Sequence, residues 1–438
     1  MKRTHLYWFT QDLRLDDHAA LLRAAQCDRL LLVYCLDTDP AQPNRYGLQG
    51  MGPHRWRFLH QGLQDLQQQL KPLGQTLLVL QGSPVKQLSH LITEHQVHAV
   101  FSSEPAGTDE QRIWQTLQQK HDSVSFIQLN TYRLFEQEQL PFSLSALPET
   151  FSNFRKRVET LDLLPPLNPV TQLPPTAFQQ SDDLPIPAPL PCDHENPFRG
   201  GATPGLQHLS DYFASQAPQT YKITRNALDT WEHSTKFSPW LAQGSLSVRR
   251  ILSGLRQHEH SMGANESTYW IYFELLWREY FQWYALKHKQ RLFNFSGLRS
   301  SRPLTSFYPQ RFRAWCEGNT PYAAVNACMK QLKATGYLSN RGRQWVASCL
   351  VNELQLDWRY GAAYFEQQLL DYDVASNWGN WQYLAGVGAD PRGLRHFNLH
   401  KQAQEYDPDG SFIQRWGGQA QTPYMDSVDA ADWPILRH

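Results

Sequence analysis

Glu274 and Trp277 stand three residues apart in a helical pattern running from Ser267 to His288, so a carboxyl group and an indole share one helix face. The carboxyl offers hydrogen bonds and the indole a stacking surface; in isolation, Glu274 reads first as a salt-bridged residue on a helix surface. A second group is the turn Ser234-Thr235-Lys236-Phe237-Ser238. Its hydroxyls and backbone N–H groups at a helix start, with Lys236 beside them, suit an anion; the plainer reading is a cap by Ser238 ahead of Pro239. The third, Asp371-Tyr372-Asp373, sets two carboxylates one residue apart, a spacing that alone is common in loops.

Charge is distributed unevenly around these groups. The 438 residues carry no formal net charge, yet residues 1–196 hold 16 Lys+Arg against 21 Asp+Glu and residues 197–438 hold 25 against 20. Between Phe281 and Asn352 Glu317 is the sole acid, facing Lys287, Lys289, Arg291, Arg299, Arg302, Arg311, Arg313, Lys330, Lys333, Arg341 and Arg343. Such a block is a track for a phosphate backbone, or else a solvated helical face. Trp8, Trp56 and Trp114 are the only tryptophans before residue 197 and twelve follow it, an interleaving of aromatic and basic residues that suits stacking of unpaired bases.

Two kinds of element must position these groups. Leu6–Thr10, Leu30–Leu36, Thr76–Gln81 and Val97–Ser102 read as strands, and Asp17–Ala25, His54–Leu70 and Pro84–His95 as helices between them. This alternation predicts an α/β fold, a doubly wound parallel sheet over 1–135. Its first strand-to-helix turn, Thr10-Gln11-Asp12-Leu13-Arg14, lacks the glycines of a dinucleotide fingerprint. Twelve prolines between Pro141 and Pro197 mark an interdomain linker over 136–198. Helix patterns such as Ala323–Thr335 then predict a larger all-helical domain over 199–438. The six scattered cysteines suggest neither a disulfide framework nor a metal site. Without a signal-peptide pattern or a bilayer-length apolar run, the expected location is cytoplasmic.

Several motifs of the helical half resemble those of photolyases and cryptochromes: Thr235-Lys236-Phe237-Ser238-Pro239-Trp240-Leu241, Phe273–Phe281, Ser339-Asn340-Arg341-Gly342-Arg343-Gln344 and Asp371–Trp381. At the amino end, Trp8–Leu15 is similar to the family's opening strand, with Thr10 where an arginine is usual. The DASH subgroup matches best, through Asn265–Trp270, Arg343-Gln344 and Ser376–Trp381. Gln344 and Tyr383 fall where conventional dimer photolyases carry Met and Trp, and Asn340 where six-four photolyases carry His.

This resemblance implies FAD in the helical domain, with Tyr221 and Ser234, Thr235, Lys236, Phe237 and Ser238 at its pyrophosphate. Arg343 and Asp371 would meet around the flavin ring, Asp373 would lie toward ribitol and adenine, and Asn377 would face the ring nitrogen that is protonated on reduction. Arg278, Glu274 and Asn340 complete the implied cofactor set. Glu274, Trp277 and Asn340 would form a lesion pocket, with Trp277 and Tyr383 stacking on a flipped pyrimidine dimer and Arg341 and Gln344 touching DNA. Trp381 and Trp358 match the first two members of the family's electron-transfer tryptophans. The third falls near Thr305, leaving Tyr308 or Trp315 as substitutes; Asn326 stands where an aspartate is usual. A methenyltetrahydrofolate antenna would meet Glu110, or next Glu104.

The implied activity is blue-light repair of cyclobutane pyrimidine dimers in single-stranded DNA, by a monomer without a membrane partner. The alternative is a photoreceptor that signals through the same flavin with little or no repair; a short end after Trp416 speaks against it. A plainer third reading joins a nucleotide-binding α/β domain to an unrelated helical one.

Overall fold

Five short apolar segments near the amino end pair in parallel: β1 (Thr4–Phe9), β2 (Arg29–Leu36), β3 (Leu77–Gln81), β4 (Ala99–Ser103) and β5 (Ser125–Leu129), in the order β3-β2-β1-β4-β5. Strand alternation sends Tyr7, Phe9, Leu30 and Leu32 to one face and Leu6, Trp8, Leu31 and Val33 to the other. Helices α1 (Ala19–Ala24) and α2 (Pro53–Leu70) pack on the first face, and α3 (Pro84–Glu94) and α4 (Thr108–Lys120) on the second. A sheet covered on both faces explains the nearly continuous apolar runs. The computed structural model describes residues 2–36, 43–48, 50–178, 186, 196–389 and 395–420. Part of the proline-rich linker, Cys192 and the segment from 421 onward, including most of the short end after Trp416, lie outside them.

The crevice where the strand order reverses, between β1 and β4, is filled from within. Asp12 takes the place of the missing glycines: its buried carboxylate accepts the Thr10 N–H at 2.8 Å and the hydroxyls of Tyr7 and Ser103. Beside it Arg14, 1% exposed, donates to the carbonyls of Asp16, Asp17, Thr131 and Gly244. Gly244 lies across the seam in the other domain and has φ +67°; a Cβ there would come within 1.6 Å of the Gln11 carbonyl oxygen.

The linker holds more structure than its prolines suggest. Helix α5 (Phe151–Val158) starts at Thr150, whose hydroxyl accepts the Asn153 N–H. It buries Phe151, Phe154 and Val158 at helical spacing.

The remaining helices are α6 (Ala202–Ala214), α7 (Ala217–Thr224), α8 (Ser238–Gln243), α9 (Val248–Met262), α10 (Glu266–His288), α11 (Pro309–Glu317), α12 (Ala323–Thr335), α13 (Asn340–Ser348), α14 (Trp358–Gln368), α15 (Val374–Leu384), α16 (Leu399–Tyr406) and α17 (Ser411–Arg415). Asn265 caps α10 reciprocally with Thr268, and from Glu279 to Leu286 every side chain of α10 is buried. Among them Glu279 accepts the backbone N–H groups of Leu134 and Phe135 at 2.8 and 3.3 Å and the Trp283 indole N–H at 2.7 Å. Burial pushes its carboxyl upward, while these donors and Arg133 oppose the shift. Among the described residues, no helix is long and apolar enough to cross a membrane and no cluster of His, Cys, Asp and Glu could hold a metal ion.

Glu279→Ala is expected to leave three buried donors without an acceptor and to lower unfolding stability by about 3 kcal/mol, measured by urea denaturation.

Candidate functional site

Two helices supply most of one cavity. On α13, Asn340, Arg343, Gln344 and Ala347 follow the spacing of a single face. On α15, Ser376, Asn377, Asn380, Trp381 and Leu384 do the same, and Asp373 caps that helix by accepting the Ser376 N–H at 2.7 Å. Glu274 of α10, Ser238 of α8 and Phe365 of α14 complete the wall, enclosing about 910 Å³ with the open mouth included. That size suits a large organic ligand.

The polar groups of this wall are mostly held in place. Arg343 donates from one Nη to both oxygens of Asp371, at 3.0 and 2.7 Å, and from Nε to the Leu338 carbonyl at 2.8 Å. The Asp371 side chain is 2% exposed, so the pair presents a fixed cation against the cavity. The second oxygen of Asp373 accepts from Gln282 at 2.9 Å. Asn377 commits its Nδ2 to the Ala362 carbonyl at 3.0 Å, and its Oδ1 is buried with no partner within the protein. An unpaired acceptor on the wall fits a ligand that brings an N–H, as a flavin ring does.

Glu274 pairs with Arg225 at the edge of the cavity. Burial pushes its carboxyl above the usual range, and Arg225 acts against that shift. Arg225, on the turn after α7, is absent from the sequence-derived set because no spacing rule links it to a glutamate 49 residues away.

Other expected residues lie around the cavity rather than on its wall. Trp277 is covered on one face by Phe151, with ring centroids 3.8 Å apart and planes 13° from parallel. Tyr383 meets Trp277 edge to face at 5.9 Å, and its hydroxyl accepts from Arg395. Arg341 bridges Gln344 and Asn226. Arg278 donates to the Tyr132 carbonyl at 2.6 Å, so it faces the domain seam. Ser238 alone of the turn from Ser234 to Ser238 lines the cavity. Lys236, at φ +53°, donates to Ser234 at 2.9 Å, Thr235 accepts from His208 through its carbonyl, and Phe237 packs on Tyr212. Tyr221 is buried, and burial together with the Glu274 charge pushes its phenol upward.

Trp381 lines the cavity and Trp358 is buried one helix away, its indole donating to the Phe295 carbonyl at 3.0 Å. Gly361, one turn along α14 from Trp358, has no Cβ because the Trp381 ring occupies that space. Trp315 is also fully buried, 6.3 Å from Trp381. Ser306 pairs with the segment just before Trp358, which brings Thr305 and Tyr308 beside it. Asn326 closes a turn: its amide accepts from Thr320 and donates to the carbonyls of Thr320 and Gly418. An aspartate could not make those donations.

A second, polar cleft runs between the domains. Glu110 lies on its wall with Arg55, Gln290, Glu366, Tyr372 and Trp378. Burial pushes both Glu110 and Glu366 upward. Glu104 is instead paired with buried Arg133 and does not line the cleft. Glu366 could not be singled out from sequence, since its surroundings are unremarkable there.

Two family models match the chain: DNA photolyase over residues 5–175, and the FAD binding domain of DNA photolyase over residues 270–427. The chain is 54% identical to Cryptochrome DASH of Idiomarina loihiensis over 437 residues, covering 99% of itself and 97% of that protein. Among solved structures it is similar to a cryptochrome of Synechocystis, with TM-score 0.87, 38% identity and coverage of 94% and 88%. It is also similar to a class III photolyase of Agrobacterium tumefaciens, with TM-score 0.80, 27% identity and coverage of 95% and 86%.

Arg343→Met would strand Asp371 as an unpaired buried carboxylate. Retention of FAD is expected to weaken at least tenfold, equivalent to about 1.4 kcal/mol, measured as flavin absorbance relative to protein absorbance after dialysis.

Proposed function

Because the chain belongs to the cryptochrome DASH branch of the DNA photolyase family, we propose that it is a blue-light photoenzyme that cleaves cyclobutane pyrimidine dimers in single-stranded DNA. One observation carries this reading: Glu274, Asn340 and Gln344 share a wall with Arg343, Asp371 and Asn377, so groups suited to a base edge and groups suited to a flavin face one space. FAD, held there, supplies light absorption and the electron that splits the dimer.

The chain's own residues do the rest. Arg343, anchored on Asp371, keeps positive charge against the ring, and Asn377 offers its unpaired Oδ1 to a ring N–H. A dimer flipped out of an unpaired strand costs little to extrude. Asn340 and Gln344 hydrogen-bond its polar edge, and Glu274, whose carboxyl burial pushes upward against the pull of Arg225, hydrogen-bonds a pyrimidine carbonyl through its protonated form as negative charge builds there. Trp277, backed by Phe151 and met edge-on by Tyr383, would stack on a base of the dimer. Tyr383 offers a smaller ring than an indole, which suits capture from single strands over duplexes. Trp381, with Trp358 and Trp315 in reach, returns electrons to the cavity. The interdomain cleft takes a folate antenna, with Glu110 and Glu366 as its hydrogen-bonding carboxyls.

Illuminating the reduced protein with an oligothymidine that carries one dimer should restore thymine absorbance, with darkness as control. Bound flavin without recovery would favour the signalling alternative. Glu274→Ala is expected to slow repair by tenfold or more, roughly one hydrogen bond to a charged group, with FAD still bound. Arg225→Gln removes the cation that opposes burial, so Glu274 would keep its proton to higher pH and the high-pH limb of the repair profile, where that proton is lost, would move upward. Glu110→Gln should release the pterin chromophore while leaving flavin absorbance unchanged.

A further inference from the structure

One turn before Glu274 on α10, the indole nitrogen of Trp270 is sealed from water and meets no acceptor in hydrogen-bonding geometry. A buried donor left open destabilises the fold, so an indole is seldom stranded without a task. The ring itself is well held. Phe273 stacks on it, with centroids 4.6 Å apart and planes 27° from parallel, and Phe273 in turn meets Phe151 edge to face at 5.2 Å. Phe151 is the ring that covers Trp277, so the packing that orients Trp270 continues to the proposed stacking residue.

Two cations from α7 and the turn after it lie over the indole: Lys222 Nζ at 5.1 Å and the Arg225 guanidinium carbon at 5.2 Å from a ring centroid. Lys222 is closed on Glu266 at 2.9 Å. Arg225 is the residue that grips Oε1 of Glu274. Trp270 thus seats the partner of the carboxyl and also shares a helix face with the carboxyl itself, at a spacing of four residues. Its N–H lies near enough to draw the Glu274 carboxyl down against burial, as Arg225 does more strongly. Tyr221 is the other titratable group beside Glu274 on this side. Elsewhere on the cavity wall Arg343 is closed on Asp371, and Asp373 accepts from Gln282 and Ser376.

An indole N–H and a guanidinium donate and never accept, so both can face only a carboxyl oxygen that carries no proton. We propose that Trp270 is a positioning residue for Glu274: its indole N–H joins Arg225 on Oε1, so that the acid proton is confined to Oε2. The inference rests on the function proposed above, in which that proton meets a pyrimidine carbonyl. A small rotation of the carboxyl closes the bond and satisfies the stranded donor. Without the indole N–H, Arg225 alone would decide which oxygen holds the proton.

The test is nuclear magnetic resonance of the full-length flavoprotein carrying isotope-labelled tryptophan. Trp270→Phe keeps a ring under Arg225 and beside Phe273 but lacks the N–H, and it identifies the Trp270 indole signal by its loss. In the unaltered protein that signal is expected to move with pH, following the Glu274 carboxyl, and in Glu274→Gln to stand still. Removing a donor to the charged form favours the neutral acid, so Trp270→Phe should also shift the high-pH limb of dimer repair upward, with flavin absorbance unchanged. A Trp270 signal that ignores pH, or that titrates equally in Glu274→Gln, overturns the proposal, as does a repair limb that stays in place. If the signal follows Glu274 while the unaltered protein repairs no dimer, the pairing is upheld and the repair reading is what fails.

Discussion

Placing a carboxylate inside protein costs several kcal/mol unless donors surround it, and on α10 Glu279 is met by two backbone N–H groups from the end of the α/β domain and by Trp283. This arrangement fixes the rotation and depth of α10 relative to the sheet domain. Trp277 sits about half a turn and Glu274 about one and a half turns toward its start, so the cavity at this helix inherits its geometry from one buried charge. Arg14 and Gly244 fasten the same seam from the sheet side, the arginine with four carbonyl acceptors and the glycine with a close backbone approach.

The charged groups on the wall of the cavity between α10, α13 and α15 are already paired before any ligand arrives. Arg343 with Asp371, Asp373 with Gln282 and Glu274 with Arg225 keep ionised or polar groups ordered at the wall. Such preorganisation lets a site act on developing charge without reorganising. Glu274 differs from the others in being pushed toward its neutral form, which suits a residue that must share a proton rather than hold a fixed charge.

Much of the architecture was legible from residue patterns, because two-residue and 3.6-residue periodicities follow directly from burial on one face. The strands β1 to β4, the helix over Ala323–Thr335 and the long helix carrying Glu274 are of this kind. The fifth strand, Ser125–Leu129, is only partly covered and carries too weak an alternation to stand out. Helix α5 was hidden by the prolines on either side of it, although Phe151, Phe154 and Val158 have helical spacing. At the site, motif residues converge on one wall, but their partners do not share their neighbourhood in the chain. Arg225, Phe151 and Glu366 reach the chemistry only through tertiary contacts. Conversely Phe237 and Arg278 stand inside motifs yet turn to the core and the seam, since a motif preserves packing as well as function.

The unpaired oxygen of Asn377 has a thermodynamic corollary. An acceptor sealed from water and from every donor of the polypeptide makes the folded chain less stable than it would be once that valence is met. A molecule that satisfies it becomes part of the interior, and mass action then links its supply to the survival of the fold. A ligand bound at that oxygen would therefore also brace α15, which carries Asn377, against α14, which holds its amide nitrogen through the Ala362 carbonyl.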